Sequence, residues 1–173
     1  MNSLKVRMGF ILIALSVTGC AVTNGPPKIG MKYQDIYPNG LVHAGLDLDV
    51  PYDSPVRAIG DGEIGGVSRN PKEMWLTILH GDGHSSFYYH LGKVIVKERE
   101  LVKKGQVVAY TGATGYSSPN RNQMITYPHL HLEINIKGNR ANPELLNMTC
   151  PSPTSKWWWP VGCEEFYKDK KEK

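Results

Sequence analysis

Hydrophobic and polar positions alternate in short runs separated by glycines from Val56 onward: VRAIG, GEIGGV, MWLTILH, then SSFYYHL, QVVAYT and HLHLEINI. In MWLTILH, Leu76, Ile78 and His80 alternate with Trp75, Thr77 and Leu79, the period of a strand with two unlike faces. Gly81-Asp82-Gly83 between MWLTILH and SSFYYHL predicts a hairpin. Val94 to Lys104 fits strand, loop or a short helical turn. His129 to Ile136 is the last strand expected, and no solenoid period is visible. The fold class expected is a mostly β, single compact antiparallel domain.

The N-terminus breaks this pattern. Met8 to Val17 is an uninterrupted apolar run behind Lys5 and Arg7, too short to span a bilayer as a mature helix, which reads as a signal peptide. It ends in Val17-Thr18-Gly19-Cys20, which resembles the bacterial lipobox; Cys20 is then the acylated mature N-terminus. A plain secretory signal that happens to contain a cysteine is the alternative. Several acyl chains give stable anchoring, and Ala21, in place of an aspartate, points to an outer-membrane anchor on the periplasmic side. The organisation expected is a signal peptide over 1–19, a lipidated N-terminus and tether over 20–30, the folded domain over 31–148 and a Trp-rich tail over 149–173.

The chain has 173 residues, room for one domain with appendages, and 40% hydrophobic against 21% charged residues excludes a disordered chain. The net charge of +4 falls once Lys5 and Arg7 are removed, leaving 18 bases against 16 acids, interspersed throughout. No polycationic face forms, so nucleic acid is not expected as a partner. The two other cysteines, Cys150 and Cys163, form an even pair in an exported chain and predict a disulfide, with two buried free thiols as the alternative. Of Trp157, Trp158 and Trp159 between them, two are expected to pack against the sheet and one to lie at the surface.

Histidines carry the candidate chemistry. His129 and His131 flank Leu130 in a strand and so project from one face. His43 precedes Asp47 by four residues, with Gly45 between them allowing close backbone approach. His90 lies at the end of the aromatic run in SFYYHL, and Tyr88, two residues earlier, is expected on the same face. A catalytic zinc takes three N or O ligands and leaves one position open; His43, Asp47 and one of the HLH pair supply that count. Such an ion lowers the pKa of water and polarises a carbonyl, while an uncoordinated imidazole moves the proton.

HAGLDLDVPYDSPVRAIGDGEI, LTILHGDGHSSFYYHL, LVKKGQVVAYTGATGYS, PHLHLEI and Ala141-Asn142-Pro143, in that order, make the sequence resemble the lysostaphin-type (LytM-like) zinc endopeptidases of bacterial cell walls, over Met31 to about Leu146. The resemblance implies the LytM/lysostaphin, duplicated-hybrid-motif-like fold with a sheet-floored groove. It assigns His43, Asp47 and His131 as ligands of one Zn2+ and His90 and His129 as catalytic histidines. It implies a zinc metalloendopeptidase that hydrolyses peptidoglycan cross-links, D,D bonds in a diderm host. The alternative is a non-catalytic relative that binds peptidoglycan or activates an amidase; the filled ligand positions argue for the enzyme.

Around this set, His80 is expected to be hydrogen-bonded at a strand end and His84 to sit in a turn, neither on the metal. Glu133 is a candidate acceptor for an imidazole N–H, although partial exposure is expected of it, and Tyr88 a candidate oxyanion donor with strand packing as its other role. The family's short link before the HLH strand is longer here, over 116–127. It reads as a groove wall or lid, or as a harmless insertion.

Overall fold

The computed structural model describes residues 27–116, 124–148, 156–157 and 160–161. Cys20, Cys150, Cys163, Trp158, Trp159, the apolar leader and residues 117–123 of the insertion lie outside the described residues. So do the expectations of a lipid anchor, a disulfide and a lid that rest on them.

Eleven strands form among the described residues: β1 (Lys28–Ile29), β2 (Leu46–Asp49), β3 (Pro55–Arg57), β4 (Gly62–Asn70), β5 (Glu73–Gly81), β6 (His84–Tyr89), β7 (Leu91–Val94), β8 (Leu101–Val102), β9 (Val107–Thr111), β10 (Leu130–Ile136) and β11 (Asn139–Ala141). A 3-10 turn over Pro143–Leu146 follows, with the Asn142 side chain accepting from the Glu144 N–H at its start. The large sheet runs β1-β2-β10-β6-β5-β4-β8, with β11 against β10, and the small one β3-β9-β7. Every pairing is antiparallel, as the alternating pattern predicts. The β5–β6 hairpin turns where expected, Gly81, Asp82 and Gly83 all taking positive φ.

One row of register organises the core. Leu46 pairs with Leu132, Leu132 with Tyr88, and Tyr88 with Leu76 across four neighbouring strands. All four are fully buried, in one cluster with Val56, Leu91, Val108 and Ala109 of the small sheet. Fully burying side chains of this size contributes roughly 1.5–3 kcal/mol each. The adjacent row runs Asp47–His131–Tyr89 and, by strand alternation, faces the other way. Core and candidate site are therefore two faces of the same strands.

Ordered pairing starts earlier than the expected boundary near Met31. Lys28 and Ile29 pair with Asp49 and Leu48, and the ladder continues through Gly30 N–H to Asp47 O (2.9 Å) and Asp47 N–H to Met31 O (2.8 Å). Residues 28–30 fall within the expected tether, but an open edge of β2 offers unpaired backbone groups that they satisfy. At the other end Trp157 and Val161 are buried in the common core, and the Arg57 N–H donates to Pro160 O (2.8 Å). Packing is thus the observed role of Trp157.

Candidate functional site

Three strand-borne or loop-borne atoms meet on the polar face. Asp47 and His131 are direct cross-strand partners on β2 and β10. His43 reaches them from the preceding loop, which is tied down by His43 N–H to Asp35 O (2.8 Å) and Gln34 N–H to His43 O (2.9 Å). The separations are 3.1 Å from His43 Nε2 to Asp47 Oδ1, 3.0 Å from His43 Nε2 to His131 Nδ1 and 2.7 Å from His131 Nδ1 to Asp47 Oδ1. Gly45 is required by close approach: a Cβ there would lie 2.5 Å from Leu132 O and 2.9 Å from His131 Nε2.

The outer ring nitrogens are already committed. His43 Nδ1 donates to Lys32 O at 2.7 Å, and His131 Nε2 donates to Glu133 Oε1 at 3.2 Å. In neutral rings so bonded, His43 Nε2 and His131 Nδ1 present lone pairs to each other and to a carboxylate oxygen. Three acceptors in contact in a buried place demand positive charge. Burial disfavours protonation of His131, yet its hydrogen bonds to Asp47 and Glu133 push it up to about 9. Burial would raise Asp47, but hydrogen bonds from His131 and His43 hold it well below the usual carboxylate range. A shared proton serves one edge of this triangle at a time, whereas a divalent cation serves all three. Donor atoms of a tetrahedral zinc stand about 3.4 Å apart, a few tenths of an ångström more than is seen here, so the donor set fits such an ion.

Two further imidazoles border the cluster. His129, buried, places Nε2 3.9 Å from Asp47 Oδ1 and donates Nδ1–H to Tyr127 O (3.2 Å). Its ring lies 4.6 Å from that of His90, whose Nδ1 donates to Thr114 O (2.7 Å). Burial, with the His129 and His131 rings beside it, pushes His90 down to about 3, and burial likewise lowers His129. All five residues singled out in the sequence therefore converge.

Three expectations change. Tyr88 does not share a face with His90. The φ of His90 is +61°, so strand alternation ends at Tyr89, and His90 turns to the side that Tyr89 faces. Tyr88 is buried in the core, its hydroxyl accepting from Ile59 N–H and hydrogen-bonded to Ser86 Oγ (both 3.1 Å), and is unavailable to an oxyanion. Glu133 is buried rather than partly exposed, because Arg140 Nε lies 3.1 Å from its Oε2 while His131 occupies Oε1. His80 bonds Asp61 O (2.8 Å) and Ser86 Oγ (2.7 Å) away from the cluster, as expected, and packs edge-on against Trp157.

The cluster floors a cleft of about 580 Å³ whose walls include Tyr37, Tyr89, Tyr116, Tyr127 and Arg140. The chain pattern gave no sign of these, apart from Tyr89, which strand parity with His131 would have found through the register. Burial pushes the hydroxyls of Tyr37 and Tyr89 up to about 12, so both remain hydrogen-bond donors.

Fold and cluster together define a class: antiparallel β proteins with a two-histidine, one-aspartate set that could hold a metal ion, in an open cleft. The chain belongs to peptidase family M23, whose model matches residues 41–143. It is 38% identical over 96 residues to the peptidoglycan DD-endopeptidase ShyB of Vibrio cholerae serotype O1, covering 55% of this chain and 21% of that protein. It is 37% identical over 112 residues to lysostaphin of Staphylococcus simulans, covering 63% and 20%. The chain thus spans about a fifth of these relatives' length. The catalytic domain of lysostaphin superimposes with a TM-score of 0.58 at 29% identity, covering 69% of this chain and 90% of that one. A zinc-containing peptidase from Vibrio cholerae gives a TM-score of 0.58 at 30% identity, covering 71% and 39%.

Proposed function

We propose that the protein is a zinc-dependent endopeptidase that hydrolyses peptide cross-links of peptidoglycan, cutting D,D bonds. The observation that carries the reading is the triangle of His43 Nε2, Asp47 Oδ1 and His131 Nδ1, three mutually close acceptors with every outer ring nitrogen already committed. These residues would hold the ion, which when bound supplies Lewis acidity toward a scissile carbonyl and its attacking water.

The chain's own groups supply the rest. His90 and His129 are held neutral by burial and are oriented through Nδ1 by carbonyl oxygens, which leaves each Nε2 able to accept a proton from water and return it to the departing amine. The Tyr37 and Tyr89 hydroxyls border the cleft as donors for charge developing on the carbonyl oxygen. D,D specificity is supported by the names of ShyB and ShyA, both peptidoglycan DD-endopeptidases; a glycyl-glycine endopeptidase, ALE-1, is equally similar, so the bond is decided by experiment. Attachment through acylated Cys20 at the outer membrane would place the cleft beside its polymer.

The test is digestion of purified sacculi with and without a chelator, the released muropeptides being identified by mass. Cleavage at D-Ala–diamino acid bonds, lost on chelation and restored by zinc, is expected. His131→Ala should lose both zinc and cleavage, and His129→Ala should keep zinc and lose cleavage. Hydrolysis by metal-free protein would overturn the mechanism, and release of other fragments the bond assignment.

A further inference from the structure

Glu133 connects the cluster to a residue outside it. Its carboxylate is buried and its two oxygens are divided: Oε1 accepts from His131 Nε2 at 3.2 Å, and Oε2 lies 3.1 Å from Arg140 Nε. The β10–β11 hairpin makes this arrangement. Lys137 and Gly138 take positive φ at its turn, and the resulting register sets Arg140 opposite Asn135. Asn135 shares strand parity with His131 and Glu133, so Arg140 stands on the cleft face, diagonal to Glu133, within reach of a long side chain. The Tyr33 hydroxyl donates to the Arg140 carbonyl at 3.5 Å.

A buried carboxylate is costly unless an opposite charge or several donors hold it. The Arg140 guanidinium is the cation that faces Glu133, and its Nε–H fixes the carboxylate's rotation as well as its charge. Glu133, so fixed, takes the Nε2–H of His131 and thereby directs the Nδ1 lone pair at His43 and Asp47. Removing the arginine leaves Glu133 free to rotate toward water, and the imidazole loses the partner that sets its tautomer and tilt.

We propose that Arg140 is a positioning residue for metal binding, acting on His131 through Glu133. This rests on the reading of His43, Asp47 and His131 as a metal cluster, and the two ideas separate in one experiment. Purified full-length chain is stripped of metal, and zinc affinity is measured by chelator competition for the wild type, Arg140→Gln, Arg140→Lys, Glu133→Ala and the double variant Arg140→Gln/Glu133→Ala. Steady-state rates and apo-protein melting temperatures are measured in parallel.

Arg140→Gln should weaken zinc binding by about tenfold, the lower end of what outer partners of metal-bound histidines contribute. At saturating zinc its kcat should fall while KM stays within about twofold. Arg140→Lys should recover part of the affinity through its charge. The double variant should bind zinc no more weakly than Glu133→Ala alone, since the arginine acts through the carboxylate. Unchanged zinc affinity with a raised KM would overturn the proposal and make Arg140 a reader of a substrate carboxylate. Additive losses in the double variant would overturn it too, as would a loss of affinity fully matched by a fall in apo melting temperature. If the wild type binds no zinc, it is the metal reading itself that fails.

Discussion

His43, Asp47 and His131 are each held from behind before they meet: His43 by Lys32 O, Asp47 by its place in β2, and His131 by Glu133. Pre-set ligands lose little freedom on binding, so disturbing the hold should register in metal affinity first. Gly45→Ala is the sharpest case. Its methyl would press on Leu132 O and His131 Nε2, and relief of such crowding typically costs about 1–3 kcal/mol; a lower melting temperature and weakened zinc binding should appear together. At the same scale, burial holds the His80 imidazole below its ordinary 6.5. The unfolded chain then binds a proton that the folded chain does not, so this contribution to stability is complete above about pH 6.5 and is lost as the pH falls. His80→Gln should flatten the acid side of a melting-temperature profile, and a parallel profile would show that His80 does not contribute.

Strand parity decides what each side chain can do. On β10, Leu130, Leu132 and Ile134 enter the core while His131 and Glu133 face the cleft, and β2 and β6 obey the same division up to Tyr89. The irregularity is at His90, where a positive φ at the end of β6 turns the imidazole toward His129. Tyr88→Phe tests the division. It removes the acceptor of the buried Ile59 N–H, which should cost about 1–3 kcal/mol, while the rate per folded molecule stays unchanged. A fall in kcat without loss of stability would put Tyr88 back at the site. The HLH and SFYYHL patterns made the strands legible; the parity break was not, since positive φ is uncommon for any residue other than glycine and the turn arises from β6 giving way to β7 in the other sheet.

Over the whole molecule, two sheets close on one core, and Trp157 and Val161 belong to it. Trp157 fills the space beside Gly60, where a Cβ would lie 2.5 Å from its ring. Trp157→Ala should destabilise by about 3–5 kcal/mol with substrate affinity unchanged in the fraction that remains folded; the reverse pattern would make the tail a groove element. Zinc added to stripped protein should raise the melting temperature, by the equivalent of about 4 kcal/mol at a thousandfold excess over Kd, and His43→Ala should abolish the rise. The sequence by itself determined the antiparallel β class, the five side chains that come together and the family they resemble, because strand period and short motifs are local properties of the chain. Only the tertiary structure decided that Asp47 opposes His131, that Glu133 is buried behind it, that Arg140 stands within its reach and that Tyr88 turns inward. Those outcomes depend on register between strands as distant in sequence as β2 and β10, and register is fixed by the packing of whole faces rather than by any single segment.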